Sequence, residues 1–544
     1  MSETVILTSE RENEAPPIGH DAPVEAGVTG LPMEQVIRHH ARTIPDFPAI
    51  TFEEETLSYR AFDRETNRIA NELAAHGVGR EDRVAVALKN CPESYLTFFA
   101  ARKLGAVQVA VNWRYSAEEI AWILNNCRSK IFVMDPGLAH MAEAIRAALT
   151  HPVHMFVAGE PVAGIPHLRA EARARPDTDP GAVSGPGDVA VQLYTSGTSG
   201  WPKGALITNA NLTAFFRNAA EAMPLSPRGA QLVILPLFHV AALIGSLRTF
   251  DMGGHCVGQS AFDKDQMVEL IARHQVRSFV MVNTVLAMVV EESDAAADFS
   301  SLEGVIVGGG ALSLNSARQT IELFGCPLYS MYGSTELTFG VTVLRIDADL
   351  LETPELLHSC GRPMKDVEIG IFDPESGQPL PDGEIGELWA RGGQRSLGYW
   401  ENPAATAEAF LEGGWFRTGD MGRIEEGYLY IRDRLKDMVR SGGENVYPAE
   451  VERHLTNHPD IVEAIVFGVP DRKWGEAVHA LVILRKGAEL TEADVIGFAR
   501  NGLAHFKCPR RVEFASDVPR TPSGKPKKNV IRERYWEGMD RRIG

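Results

Sequence analysis

Two short runs, far apart in a chain of 544 residues, concentrate residue types that handle phosphate. The first is Leu193-Tyr194-Thr195-Ser196-Gly197-Thr198-Ser199-Gly200-Trp201-Pro202-Lys203-Gly204. Gly197, Gly200 and Gly204 let the backbone turn and aim N–H groups at an anion. Thr195, Ser196, Thr198 and Ser199 add hydroxyl donors, and Lys203 adds a full positive charge. The second run, Pro519-Arg520-Thr521-Pro522-Ser523-Gly524-Lys525, carries a lone lysine on a tight loop near the C-terminus. The first run departs from the NTPase phosphate loop, which needs Gly at 202, where Pro stands, and Ser or Thr at 204, where Gly stands. That motif must also open a helix at its lysine. Here Ala205-Leu206-Ile207 reads as a second strand, with a helix beginning only near Thr208 or Asn209. On composition alone, a Ser/Thr/Gly linker is the competing reading.

The elements that must position these runs follow from pattern. From about residue 31 helical and strand-like periods alternate. Phe62, Ile69, Ala70 and Leu73 recur at helical spacing, Gly77 breaks the run, and Val84-Ala85-Val86-Ala87-Leu88 reads as a buried strand. Residues 267–290 repeat the logic as a helix, the strand Ser278–Val282 and another helix. Such alternation predicts α/β sheets with helices on their faces. Between 365 and 432 the chain changes to short strands (Val367–Phe372, Gly386–Ala390, Tyr428–Ile431) parted by Pro, Gly and Asp turns, the pattern of a small β-rich subdomain. Asp433-Arg434-Leu435-Lys436-Asp437 is a charged joint. After it comes a compact unit of two helices and a few strands.

The bulk numbers exclude several classes. At this length the chain needs more than one core. A net charge of -18 argues against general nucleic-acid or anionic-membrane affinity. The last forty residues run the other way, with eleven Lys/Arg against five Asp/Glu, as an anionic small ligand would favour. The six cysteines (Cys91, Cys127, Cys256, Cys326, Cys360, Cys508) are scattered without a CxxC pair, so neither a zinc site nor a disulfide framework is expected. Residues 1–30 are polar and acidic, unlike a secretory signal, and are expected to form a loosely ordered tail. No transmembrane run is present, and a cytoplasmic location is expected.

Taken in order, the motifs resemble those of the adenylate-forming superfamily, which holds acyl- and aryl-CoA synthetases, luciferases and the adenylation domains of peptide synthetases. The resemblance runs from about residue 31 to 535. It implies a large N-terminal AMP-binding domain (31–432) of two α/β sheets plus a small β-barrel-like subdomain, a hinge (433–437), and a small mobile α+β C-terminal domain (438–544). In Tyr332-Gly333-Ser334-Thr335-Glu336, the tyrosine would stack on adenine, Thr335 would hydrogen-bond a phosphate, and Glu336 would hold Mg²⁺. One carboxylate plus substrate phosphates is a sufficient set for that hard cation. Gly308-Gly309-Gly310-Ala311 would lie against adenine and the acyl group. Asp420, at the end of Trp415-Phe416-Arg417-Thr418-Gly419-Asp420, would accept the ribose hydroxyls, and Arg434 would reach ribose or phosphate. Met singly, Glu336 is a surface acid and Asp420 a turn residue; it is their ordered company that changes the reading. Pro236-Leu237-Phe238-His239 resembles the motif before the acyl pocket, which His239, Ala241, Gly245, Gly308 and Phe339 would line.

The same resemblance makes Lys436 the hinge residue and Lys525 the lysine of the adenylation step. It places Arg440, Gly442 and Gly443 against the pantetheine arm of CoA. Trp474, Phe506, Lys507 and Arg510 are candidates for the nucleotide end of CoA, beside the plainer reading of an ordinary domain surface. The implied reaction joins a carboxylic acid to ATP, releases pyrophosphate, and passes the acyl group from the adenylate to CoA with loss of AMP. No acid stands in Phe238-His239-Val240-Ala241-Ala242-Leu243 to pair a substrate amine, and an unpaired buried ammonium is costly, so amino acids are not expected. With Ala241 and the glycines, a roomy apolar pocket for a medium- or long-chain fatty acid is expected, with an aryl or alicyclic acid next. A carrier protein in place of CoA, a luciferase-like oxidation and a catalytically inactive nucleotide-binding regulator stay open. A homodimer also stays open.

Overall fold

The computed structural model describes residues 29–195, 201–292, 297–308, 312, 314–435, 437–441, 444–471, 473–520 and 526–537. The chain forms two compact units. One comprises the residues up to 369 together with 390–416, and the other comprises 370–389 and everything from 417 onward, apart from a few N-terminal residues.

The larger unit is built on two mixed sheets. A six-stranded sheet runs in the spatial order His154–Val157, Ile131–Met134, Arg83–Ala87, Val107–Ala110, Val189–Thr195, Lys203–Thr208. All neighbours are parallel except the last pair, which is antiparallel. A nine-stranded sheet runs Arg362–Pro363, Thr342–Ile346, Leu328–Tyr332, Gly304–Gly308, Val276–Val282, Ala230–Val233, His255–Gly258, Pro48–Phe52, Glu55–Ser58. Its interior is parallel and its edges antiparallel. Buried parallel strands must be apolar on both faces. Val84, Ala85 and Ala87, and Val305 with Val307, are accordingly wholly buried.

The expected helix is Tyr59–Ala75. Ser58 caps it by accepting from Ala61 N, and Phe62, Ile69, Ala70 and Leu73 are fully buried on its inner face. Gly77 follows at φ 78° and turns the chain out of the helix. Among the described residues no helix is long and apolar enough to cross a membrane.

The other unit carries most of a four-stranded sheet ordered Val367–Phe372, Gly386–Gly392, Phe416–Glu425, Tyr428–Arg434, through which the unit boundaries pass. The strand Phe416–Glu425 runs through Gly419, Asp420 and Gly422, residue types that favour turns. Beyond it lies a five-stranded sheet of Glu444–Val446, Val439–Ser441, Gly475–Leu484 and Ile461–Asp471, with Arg511–Phe514 parallel to Gly475–Leu484. Three helices accompany it: Pro448–Leu455, Glu492–Arg500 and Lys528–Trp536. The third was not legible, because its opening is a run of charged residues without a capping side chain. Its Ile531 packs with Ile465, Phe467, Leu481 and Val518.

Candidate functional site

The described ends of the Ser/Thr/Gly run lie on an antiparallel strand pair. Strands Val189–Thr195 and Lys203–Thr208 register Thr195 opposite Lys203, so the loop leaves and returns at one point. Lys203 opens a strand, and the helix Asn209–Ala222 begins only after Thr208, whose side chain caps it. This confirms that the run is not an NTPase phosphate loop. A Cβ at Gly204 would lie 2.5 Å from Gln192 Nε2, so a side chain there would displace the Gln192 amide. Ser196, Gly197, Thr198 and Ser199 lie outside the described residues.

The second motif leaves the end of strand Leu328–Tyr332 and turns through the short 3-10 helix Thr335–Leu337. Gly333 is pressed against the returning chain, and a Cβ there would stand 1.9 Å from Phe339 O. Thr338 and Phe339 both take positive φ, 50° and 95°. Non-glycine residues adopt such values at a cost, which is commonly met where a turn must aim a functional group. Phe339 N donates to Ser334 O at 3.1 Å and closes the turn. Glu336 is 9% exposed.

Glu336 Oε1 accepts from Tyr399 Oη at 2.9 Å, and Thr195 Oγ1 lies at 3.5 Å. Among the described residues no hydrogen bond reaches Oε2. Lys203 Nζ sits 5.1 Å from the centre of the Tyr399 ring. Burial, and next the adjoining Glu336 charge, push the Tyr399 phenol well above its usual pKa, so it stays a donor. Thr195, Lys203 and Glu336, all expected from sequence, are thus brought together by a residue that was not.

Tyr399 arrives on an extended segment pinned to strand Lys203–Thr208. Leu397 N bonds Leu206 O (3.0 Å), Leu206 N bonds Gly398 O (3.0 Å) and Trp400 N bonds Gly204 O (2.8 Å). Ser396 N bonds Glu336 O at 2.8 Å. Trp400 donates to Asn126 O (3.0 Å), and the Arg83 guanidinium lies 3.6 Å over its ring. On the other side Tyr194 Oη donates to Asn126 Oδ1 (2.5 Å), and Trp201 stacks on Trp122 with centroids 4.9 Å apart. The sequence signal for Tyr399 was an aromatic pair, Tyr399-Trp400, set in a Gly-marked loop.

Of the residues assigned to the acyl group, Gly308 ends the strand Gly304–Gly308, and a Cβ there would meet nothing within 4 Å. His239 precedes the helix Val240–Asp251, half-buried, with its ring 4.3 Å from that of Phe238. Ala241 is half-buried in the first turn of that helix. Gly245 is buried one turn on, where a Cβ would contact Gln231 and Val280 at 3.5 and 3.6 Å. Phe339 packs against Phe215 at 5.6 Å. Gly309 and Gly310 lie outside the described residues.

In the other unit, Asp420 sits 9% exposed on strand Phe416–Glu425 rather than in a turn, opposite Arg434 in the paired strand. Gly419 takes φ 71° before it, and Thr418 Oγ1 accepts from Asp420 N at 3.0 Å. Asp433 Oδ2 accepts from Ala449 N at 2.6 Å, tying the joint to the first turn of the helix Pro448–Leu455. The Arg510 guanidinium lies 4.4 Å over Trp474, with Lys473 at 4.7 Å. Lys507 Nζ is paired with Glu450 at 2.7 Å, and Phe506 lies beside it. The side chains of Arg434 and Arg440, and all of Lys436, Gly442, Gly443 and Lys525, lie outside the described residues.

Glu336 and the oxygens beside it, Tyr399 Oη and Thr195 Oγ1, are of the donor type that a hard divalent cation takes. No group of three or more His, Cys, Asp or Glu among the described residues could hold a metal, so phosphate oxygens would have to complete its shell.

Comparison with known proteins finds relatives over nearly the whole chain. Residues 37–400 match the AMP-binding enzyme family, and residues 450–525 match the AMP-binding enzyme C-terminal domain. A fatty acid–[acyl-carrier-protein] ligase, ScoC of Streptomyces coeruleorubidus, is 35% identical over 94% of this chain and 97% of its own length. A feruloyl-CoA synthase of Amycolatopsis sp. is 35% identical over 91% of this chain and 97% of its own. The structure of o-succinylbenzoate CoA synthetase from Bacillus subtilis, in complex with ATP and a magnesium ion, matches with a TM-score of 0.80 and 28% identity, over 91% of this chain and 98% of that one.

Proposed function

We propose that this chain, which belongs to the AMP-binding family of adenylate-forming enzymes and is an AMP-forming acid–thiol ligase, joins a medium- or long-chain fatty acid to coenzyme A. The observation that carries the nucleotide half is the cluster of Thr195, Lys203 and Glu336 around Tyr399. The observation that favours a long acid is Gly308, whose missing side chain opens onto empty space beside the motif expected to face the acyl group.

The chemistry follows from what a carboxylate lacks. It is anionic and has a poor leaving group, so it is activated by attack on the α-phosphorus of ATP, with pyrophosphate leaving and an acyl-adenylate forming. Charge builds on phosphoryl oxygens in that step, and catalysis is chiefly positioning and electrostatics. Lys203 and the Thr195 hydroxyl steady the departing phosphates, with Ser196, Gly197, Thr198 and Ser199 of the same run. Glu336, with Thr335 beside it, would hold Mg²⁺, which supplies positive charge to the polyphosphate when bound. Tyr332, Gly309 and Gly310 hold adenine, and Asp420 and Arg434 hold ribose. Lys525 bridges the acid and the α-phosphate. The C-terminal domain then turns about Lys436 and withdraws Lys525. Arg440, Gly442 and Gly443 are presented to the pantetheine thiol, which attacks the mixed anhydride and releases AMP. His239, Ala241, Gly245 and Phe339 bound the acyl chain.

A second reading keeps the adenylate and replaces CoA with the phosphopantetheine of a carrier protein, as the name of the Streptomyces relative describes for that protein. A third replaces the fatty acid with an aryl acid, as in the feruloyl-CoA synthase. A pyrophosphate-release screen over fatty, aryl and alicyclic acids, run with CoA, with a phosphopantetheinyl carrier protein and with neither, separates the three. Turnover of a C8–C16 fatty acid that needs CoA supports the first. Turnover confined to aryl acids, or to the carrier protein, would replace it.

A further inference from the structure

Tyr399 holds two opposite charges apart. Its phenol O–H donates to Glu336 Oε1 at 2.9 Å, while Lys203 Nζ stands 5.1 Å from the centre of its ring. An aromatic ring is electron-rich on its face and electron-poor at its edge, and a phenol adds a donor at that edge. One side chain therefore offers a cation its face and an anion its hydroxyl. Lys203 and Glu336 make no ion pair with each other. The ring is fixed on both sides: Tyr399 N bonds Thr406 Oγ1 at 3.0 Å, the ring meets Phe410 edge-on at 5.4 Å, and Trp400 N is bonded to Gly204 O.

We propose that Tyr399 is the positioning residue of the cation and phosphate site. It fixes Glu336 Oε1 so that Oε2 is presented to the divalent cation, and it keeps Lys203 from collapsing onto Glu336 before nucleotide arrives. Without the ring, a lysine and a glutamate facing the same small space would neutralise each other, and metal and phosphate would have to break that pair to bind. Partners that orient a metal-holding carboxylate change metal affinity by roughly 10–100-fold. The inference rests on the reading of Glu336 as the cation ligand.

The test measures Mn²⁺ binding by electron paramagnetic resonance, with the full chain and α,β-methylene-ATP, in Glu336→Gln, Tyr399→Phe and Tyr399→Leu. Glu336→Gln must weaken Mn²⁺; if it does not, the reading of Glu336 fails, and the inference with it. Given that loss, Tyr399→Phe is expected to weaken Mn²⁺ roughly 10–100-fold. Affinity for the metal-free nucleotide should stay within about twofold, because the ring still screens Lys203. Tyr399→Leu is expected to lose both metal and metal-free nucleotide affinity. Raising Mg²⁺ should restore kcat in Tyr399→Phe. A merely structural tyrosine would lower the melting temperature and leave Mn²⁺ affinity alone. Mn²⁺ binding within about twofold of the parent in Tyr399→Phe, with Glu336→Gln impaired, would overturn the inference and leave the Glu336 assignment standing.

Discussion

Gly333→Ala is the smallest change that should disable this protein. A Cβ at 333 would lie 1.9 Å from Phe339 O and 2.7 Å from the Gly340 Cα. Carbon and oxygen that are not bonded keep at least about 3 Å apart, so one strand of the turn must retreat by about 1 Å. The obstacle is backbone, and no rotamer change relieves it. That turn carries Glu336 two and three residues along from Ser334 and Gly333, and Phe339 N closes it on Ser334 O. Misplacement of a reacting constellation by 1 Å costs about 10²-fold in rate, or about 2.7 kcal/mol. The assay is pyrophosphate release at saturating ATP and Mg²⁺, beside a thermal melt. Gly497→Ala is the control. It is the same chemical change on the helix Glu492–Arg500, where a Cβ meets nothing within 4 Å, and it should leave rate and melting temperature unchanged or slightly improved. If Gly333→Ala kept more than a fifth of the parent rate, the turn would not set the position of Glu336, and the reasoning would fail.

Three other outcomes follow from the same reading. Lys525→Ala should lower adenylation by roughly 10²–10³-fold while sparing thioester formation from supplied acyl-adenylate, and Lys436→Pro should show the reverse bias; equal effects on both half-reactions in both variants would remove the hinge from the mechanism. Gly308→Leu should shift the preferred fatty acid to shorter chains, read as the ratio of kcat/KM for C16 over C8, because its side chain would grow into space now empty. Asp251 is wholly buried, and desolvation pushes its carboxyl up to about 7 despite hydrogen bonds from Thr29. The folded state thus holds a proton that the unfolded state releases near pH 4, so the Asp251 contribution is complete below pH 4 and is lost as pH rises through 7. Stability of Asp251→Asn relative to the parent should rise by on the order of 4 kcal/mol between pH 4 and 8 in urea melts, and a difference flat across that range would contradict it.

The local frame of the candidate site was legible because its signals are local. Gly333 marks a turn that a single run displays, and the step from strand to strand at Lys203 could be read from the period of Ala205-Leu206-Ile207. The helix Tyr59–Ala75 and the strand Arg83–Ala87 likewise follow from spacing, since burial of one helix face and of both strand faces leaves different periods. The extent of strand Phe416–Glu425 was hidden by its glycines and aspartate, which favour turns locally but are overridden by pairing with Tyr428–Arg434.

What the sequence determined by itself is which groups are available and in what order: hydroxyls and a lysine of the kind that suits phosphate, a carboxylate of the kind that suits a hard cation, and a C-terminal lysine. Tertiary structure alone decided that Tyr399 would stand between Lys203 and Glu336, and that Asn126 would receive both Tyr194 and Trp400. These contacts join residues dozens to hundreds of positions apart. Closing the long loops between them costs entropy that strand pairing and packing offset, and no window of sequence holds both partners.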